Sequence, residues 1–172
     1  GRLYDGVPEE IRTLPFIRYV IGANGAEVYD VRKKKVLHRA EMNLDEVRQF
    51  FDCVQGLPAI VGCYKGGQAF MGRKDIEKME AYAAEKAIFR MMRRIYAPVE
   101  ELESFLLEEG ETVQKLMLFF ADLEEQKRAI EDMKIKLSNL VVSSSIINNI
   151  EVNASGANKG AALRFLREYL KI

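Results

Sequence analysis

Lys159 is the residue whose type and position most directly suggest chemistry. It follows a strand-like Ile150-Glu151-Val152 and a flexible segment from Asn153 to Asn158, and it opens the helical run Gly160-Ala161-Ala162-Leu163. A helix start presents unpaired amides and a partial positive charge, so a lysine there adds a point charge to a ready anion site. Phosphate is the natural guest. The same spacing also fits a plainer arrangement, with Asn158 as the helix cap and Lys159 as a solvated first-turn residue. The segment is not a P-loop, because Gly-x-x-x-x-Gly-Lys-Ser/Thr is absent.

Other reactive residue types are sparse. His38 stands beside Arg39 without a Ser or Cys partner at a recognisable spacing, which favours a structural or surface role. Cys53 and Cys63 lack the paired spacing and nearby histidines of a zinc site, and both fit small buried hydrophobes in a reducing, cytoplasmic protein. Glu100, Glu101, Glu103, Glu108, Glu109 and Glu111 form an acidic stretch, which reads as a solvated helix face. No metal ligand is assigned.

The 172 residues carry 26 Lys+Arg against 26 Asp+Glu, with 48% apolar residues. That content supports a real core and excludes disorder. A net charge of zero gives no broad positive field, so the expectation is no nucleic-acid and no membrane partner, with only a local patch left open. No apolar run approaches the roughly 20 residues that a membrane-spanning helix needs.

Several elements must position Lys159. Tyr19, Ile21, Val28 and Tyr29 around Asn24-Gly25 predict strands about a tight corner, with the basic run from Arg32 to Lys35 as a solvated turn. Asn43 and Glu46 fit a capping box ahead of a helix with Leu44, Val47, Phe51 and Val54 inward. Lys65-Gly66-Gly67 predicts a hairpin between 59–64 and 68–71. That hairpin could overhang a substrate, although most such turns only connect strands. One long helix is expected from about Asp75 to Tyr96, with Ala81, Ala84, Ile88, Met91 and Ile95 on its inner side. Pro98 is expected to open a short helix that Gly110 ends. Strand 115–120, a helix capped by Asp122 with Leu123, Ile130 and Met133 inward, and strand 139–143 follow. The last helix should turn Ala162, Leu163, Leu166 and Leu170 inward. The fold class is mixed α/β, an open and partly antiparallel sheet covered by helices.

Three segments in this order resemble a known family. Glu151-Val-Asn-Ala-Ser-Gly-Ala-Asn-Lys159-Gly160-Ala-Ala-Leu163 looks like the third motif of Cof-like sugar phosphatases of the haloacid dehalogenase superfamily. Ile21-Gly-Ala-Asn24-Gly25-Ala26 resembles that family's Asn-Gly-Ala segment, and Gly1-Arg2 resembles the end of its second motif, Ser/Thr-Gly-Arg. The passage from Val113 to Val152 resembles the end of the family's large cap domain, so the likeness covers nearly the whole chain.

The resemblance implies an α+β cap with an antiparallel sheet and helices on one face, flanked by parts of a Rossmann-like core. Residues 1–40 would follow the second motif, 41–145 would form the cap, and 146–172 would return to the core. It implies a Mg²⁺-dependent phosphatase of small phosphorylated metabolites, in which Lys159 offsets charge on the phosphoryl group. Asn24, Gly25, Arg2 and Gly160 would lie at the substrate. The family's Asp-x-Asp nucleophile motif is absent, since no Asp here has another two residues later. Its metal motif would fall after Ile172, and the Ser/Thr of its second motif before Gly1. The expectation is therefore a cap-bearing segment that needs the remaining core segments as partner and is inactive as a lone chain. The alternative is a non-catalytic binding or interaction module built on the cap fold.

Overall fold

The computed structural model describes residues 1–108 and 112–172. Two sheets organise it. In the smaller, β1 (Tyr19–Gly22), β2 (Glu27–Asp30) and β3 (Lys35–Arg39) form an antiparallel meander preceded by a short helix α1 (Glu9–Arg12). The Asn24-Gly25 corner forms as predicted, with both residues at positive φ, +64° and +110°.

The larger sheet has six strands in the order β6-β5-β4-β7-β9-β8: β4 (Ala59–Lys65), β5 (Gln68–Gly72), β6 (Tyr96–Val99), β7 (Lys115–Phe120), β8 (Leu140–Ser143) and β9 (Asn149–Ala154). It is mixed rather than purely antiparallel, because β6 lies parallel to β5 at the edge. Strand β9, expected with the return segment after residue 145, is hydrogen-bonded between β7 and β8. Every residue of β7 and β9 is buried, so both faces of these central strands are covered. Period-two alternation puts Leu116, Leu118 and Phe120 on one face and Lys115, Met117 and Phe119 on the other. The register with β9 and β4 adds Glu151, Asn153 and Tyr64 to the face of Lys115.

The helices are α2 (Leu44–Val54), α3 (Arg73–Tyr82), α4 (Lys86–Ile95), α5 (Leu102–Leu106), α6 (Leu123–Lys136) and α7 (Lys159–Leu170). Helix α2 starts at the predicted capping box, in which Asn43 Oδ1 accepts from the Glu46 amide and Glu46 Oε2 accepts from the Asn43 amide. The single helix expected over 75–96 is instead two, α3 and α4. Asn148 Nδ2 donates to the Tyr82 carbonyl at 2.8 Å, giving the end of α3 a side-chain partner where the chain turns extended. The break resets the helical phase. Met79 and Met92 are buried, and Ala81, Ala84 and Met91 are exposed.

Pro98 lies in β6 rather than opening a helix; α5 begins four residues later, and the Gly110 stop signal falls outside the described residues. Tyr96 of β6 covers Gly62, where an added Cβ would meet the ring at 2.6 Å. In α6, Leu123 is exposed while Ala129 and Met133 are buried. In α7, Leu163 is 61% exposed, and Ala162 and Leu166 face inward. Those two join Val28 in a small apolar cluster, separate from the large cluster built on the six-stranded sheet.

Candidate functional site

The predicted site residues converge from both ends of the chain. Asn158 caps α7, its Oδ1 accepting from the Ala161 amide at 2.8 Å. The Lys159 and Gly160 amides lie in the first turn, where the helix itself supplies no acceptor. The Lys159 side chain is exposed and has no hydrogen bond or ion pair among the described residues. Gly25 packs directly onto this cap. A Cβ at Gly25 would sit 2.3 Å from the Asn158 carbonyl carbon and 2.8 Å from the Lys159 nitrogen, so only glycine fits at that φ of +110°. Asn24-Gly25 and Asn158-Lys159, separated by more than a hundred residues, thus share one backbone contact.

Gly1 and Arg2 approach from a third direction. A Cβ at Gly1 would lie 2.3 Å from the Asn24 nitrogen, and the Arg2 carbonyl accepts from the Ala23 amide at 2.8 Å. The Arg2 side chain is exposed, with Nη1 donating to the Gly6 carbonyl at 3.4 Å, so here its backbone makes the contact with the Asn24 loop. Gly160 is exposed and less confined, its nearest neighbour for an added Cβ being Asn158 Oδ1 at 3.3 Å.

Beneath Asn24 lies a buried polar group that motif spacing alone did not single out. Lys115 Nζ donates to Glu151 Oε1 at 2.9 Å and to the Gly1 carbonyl at 3.1 Å, and it lies over the Tyr64 ring, 4.6 Å from the centroid. The other carboxylate oxygen, Glu151 Oε2, accepts from Asn24 Nδ2 at 2.7 Å. Asn153 Oδ1 accepts from the same Asn24 nitrogen at 3.1 Å, and Asn153 Nδ2 donates to the Gln114 carbonyl at 3.0 Å. Gln114 Nε2 donates to Glu27 Oε2 at 3.0 Å, and Gln114 Oε1 accepts from the Gly67 amide, tying the predicted glycine hairpin to β2. The sequence signal for this group was a set of polar residues inside strands: Gln114-Lys115 leading an apolar run, and Glu151 and Asn153 between apolar neighbours.

Burial pushes the Glu151 carboxyl up, but the Lys115 charge and hydrogen bonds from Lys115 and Asn24 outweigh it and hold the group down at about 2. Burial draws Lys115 below the ordinary lysine value despite Glu151. Glu27 is raised, chiefly by burial, against the Gln114 hydrogen bond.

The remaining candidates have structural explanations. His38 stacks on Phe165 at 4.6 Å. Cys63 is buried, and burial pushes its thiol up to about 12, which makes it unreactive. Glu100 and Glu101 pair with Arg73 and Lys74, and Glu109 and Glu111 fall outside the described residues. A cleft of about 560 Å³ lies elsewhere, between the end of α1 and the β2–β3 turn, and contains none of the predicted site residues.

A family model for haloacid dehalogenase-like hydrolases matches residues 1–172. The chain belongs to this family. Similar solved structures share the fold of this chain. A haloacid dehalogenase-like hydrolase from B. subtilis superposes with TM-score 0.76 at 17% identity, covering 99% of this chain and 65% of that one. A protein from Thermotoga maritima gives TM-score 0.76 at 19% identity, covering 99% and 60%. A sugar phosphatase of haloacid dehalogenase subclass IIB gives TM-score 0.65 at 12% identity, covering 91% and 54%. The chain therefore spans 54–65% of the length of these three relatives. No match is found among curated proteins.

Proposed function

We propose that these residues form the substrate-selecting cap and the phosphate-stabilising part of a phosphatase that acts on small phosphorylated metabolites, sugar phosphates foremost. The observation that carries this reading is the contact of Asn24-Gly25 with Asn158-Lys159, which sets an exposed, unpaired lysine at a capped helix start. Phosphoryl transfer depends mainly on positioning and electrostatic stabilisation. In this reading, Lys159 Nζ and the first-turn amides of α7 hold the phosphoryl oxygens, and the six-stranded sheet closes over the rest of the ester and limits water. A solved relative of the same fold is described as a sugar phosphatase, which supports the substrate class.

Haloacid dehalogenase-like hydrolases generally use Mg²⁺. The residues here do not fit such a site: among the described residues no group of three or more His, Cys, Asp or Glu is placed to hold a metal. Glu151 is already engaged by Lys115, Asn24 and Ser145. No metal ligand and no nucleophile is assigned to these residues. We place both on core segments that carry the Asp-x-Asp motif, with residues 41–145 as cap and residues 1–40 and 146–172, the latter carrying Lys159, as core. Among the described residues no helix is long and apolar enough to cross a membrane, and we propose a cytoplasmic location.

The test is hydrolysis of a panel of sugar phosphates by these 172 residues alone and by a protein that joins them to matching core segments. The joined protein is expected to be active with Mg²⁺ and the 172 residues inactive. Lys159→Ala in the joined protein should lower kcat/KM by about 10²-fold or more, the scale of losing one charge-stabilising group. A joined, folded protein without phosphatase activity would favour the non-catalytic interaction module.

A further inference from the structure

We propose that Glu151 is a positioning residue, which, held by Lys115, clamps Asn24 and thereby seats Gly25 against the Asn158–Lys159 peptide and fixes the place of Lys159. This rests on the phosphate-binding reading of Lys159 given above.

The geometry divides the work of the carboxylate. Glu151 Oε1 takes Lys115 Nζ at 2.9 Å and Ser145 Oγ at 2.8 Å, while Oε2 accepts from Asn24 Nδ2 at 2.7 Å and lies 4.0 Å from the Gly1 amine. Asn153 Oδ1 adds a second acceptor for the same Asn24 amide. Asn24 stands at φ +64°, a conformation that asparagine tolerates better than most residues but that a neighbouring structure must still hold. The next residue, Gly25, makes the contact with Lys159. A shift of Asn24 therefore moves the surface on which Lys159 rests.

A purely structural role explains less of this arrangement. The Lys115 and Glu151 side chains are only 1% and 6% exposed. An ion pair buried so deeply is often replaceable by apolar side chains without loss of stability, while removing one partner leaves the other charge stranded. Leu3, Ala23 and Ala26 pack into the same apolar cluster as the six-stranded sheet, and beside that packing a set of directed polar bonds ties this region to the sheet: Gln114 to Glu27, Lys115 to the Gly1 carbonyl, Glu151 and Asn153 to Asn24. Fixed directions are what such bonds supply and what apolar contact does not.

Two uncharged double variants separate the roles. Lys115→Met with Glu151→Leu removes the charges and the acceptor for Asn24. Lys115→Met with Glu151→Gln removes the charges and keeps an amide oxygen for Asn24. The readouts are thermal unfolding, hydrogen exchange of the Asn24 side-chain amide by NMR, and titration with inorganic phosphate followed on the Lys159 and Gly160 amides. Both variants are expected to fold. The leucine variant should speed Asn24 side-chain exchange and weaken phosphate binding, each about tenfold, and the glutamine variant should restore both to within about threefold of wild type. Equal behaviour of the two variants in exchange and binding would overturn the clamp. Absence of phosphate shifts at residues 159 and 160 in the wild type would overturn the phosphate reading instead, with Asn24 exchange still testing the clamp. Should the variants not fold, the wild type decides: Asn24 side-chain exchange must be at least about tenfold slower than that of the exposed Asn43, and parity overturns the proposal.

Discussion

Glu151 shows how one residue can depend on its surroundings for its charge. Its folded carboxyl titrates near 2 against an ordinary 4.5, so it contributes stability that is fully present above pH 4.5 and is lost as pH falls through 2. That difference corresponds to about 3 kcal/mol at most. Glu27 acts in the opposite sense, since its raised carboxyl favours the folded state at low pH and loses that contribution as pH rises. Denaturant unfolding of Glu151→Gln should therefore show a protein less stable at pH 7, where Lys115 is left buried without its counter-charge, and a flatter stability profile between pH 5 and pH 2. An unchanged acid slope would mean that the carboxylate is not charged in the fold. At this scale the sequence was legible where chemistry is local: Asn158 as a cap, Lys159 in the first turn, Gly25 at a corner. Lys115 and Asn153 were not, because their meaning comes from a strand register that joins residues far apart in the chain.

Elements were legible where their ends are set by their own residues. The Asn43–Glu46 box and the Gly66-Gly67 turn carry their instructions within four residues, and both form as read. Asn43→Ala should lower stability by about 1 kcal/mol in chemical denaturation, with loss of the Glu46 amide's protection, because the first turn of α2 loses a side-chain acceptor. An effect confined to the noise would show that Glu46 alone suffices to start the helix. The division of 75–96 into α3 and α4 was not legible from its period, and the side-chain partner of the freed Tyr82 carbonyl, Asn148, lies 66 residues away in sequence. Pro98 misled for a related reason. Its fixed φ suits a helix start as well as an edge strand, and only pairing with β5 distinguishes them.

For the whole molecule, the governing fact is that apolar burial falls into two clusters of unequal size, a large one on the six-stranded sheet and a small one around Val28, Ala162 and Leu166. Leu166→Ala should cost about 2–4 kcal/mol locally and act unevenly. In hydrogen exchange, amides of β1 to β3 and α7 should lose protection while those of β7 and β9 keep theirs; a uniform loss would show one cooperative unit. Fold class was easier to read than the buried polar group around Glu151, because strands and helices announce themselves by period and a set of bonds between distant strands and loops has none. The position of Pro98 has a consequence for solubility. Pro98 has no amide proton, so the outermost strand on that side of the six-stranded sheet offers an incoming chain a shortened row of donors, which disfavours edge-to-edge pairing there.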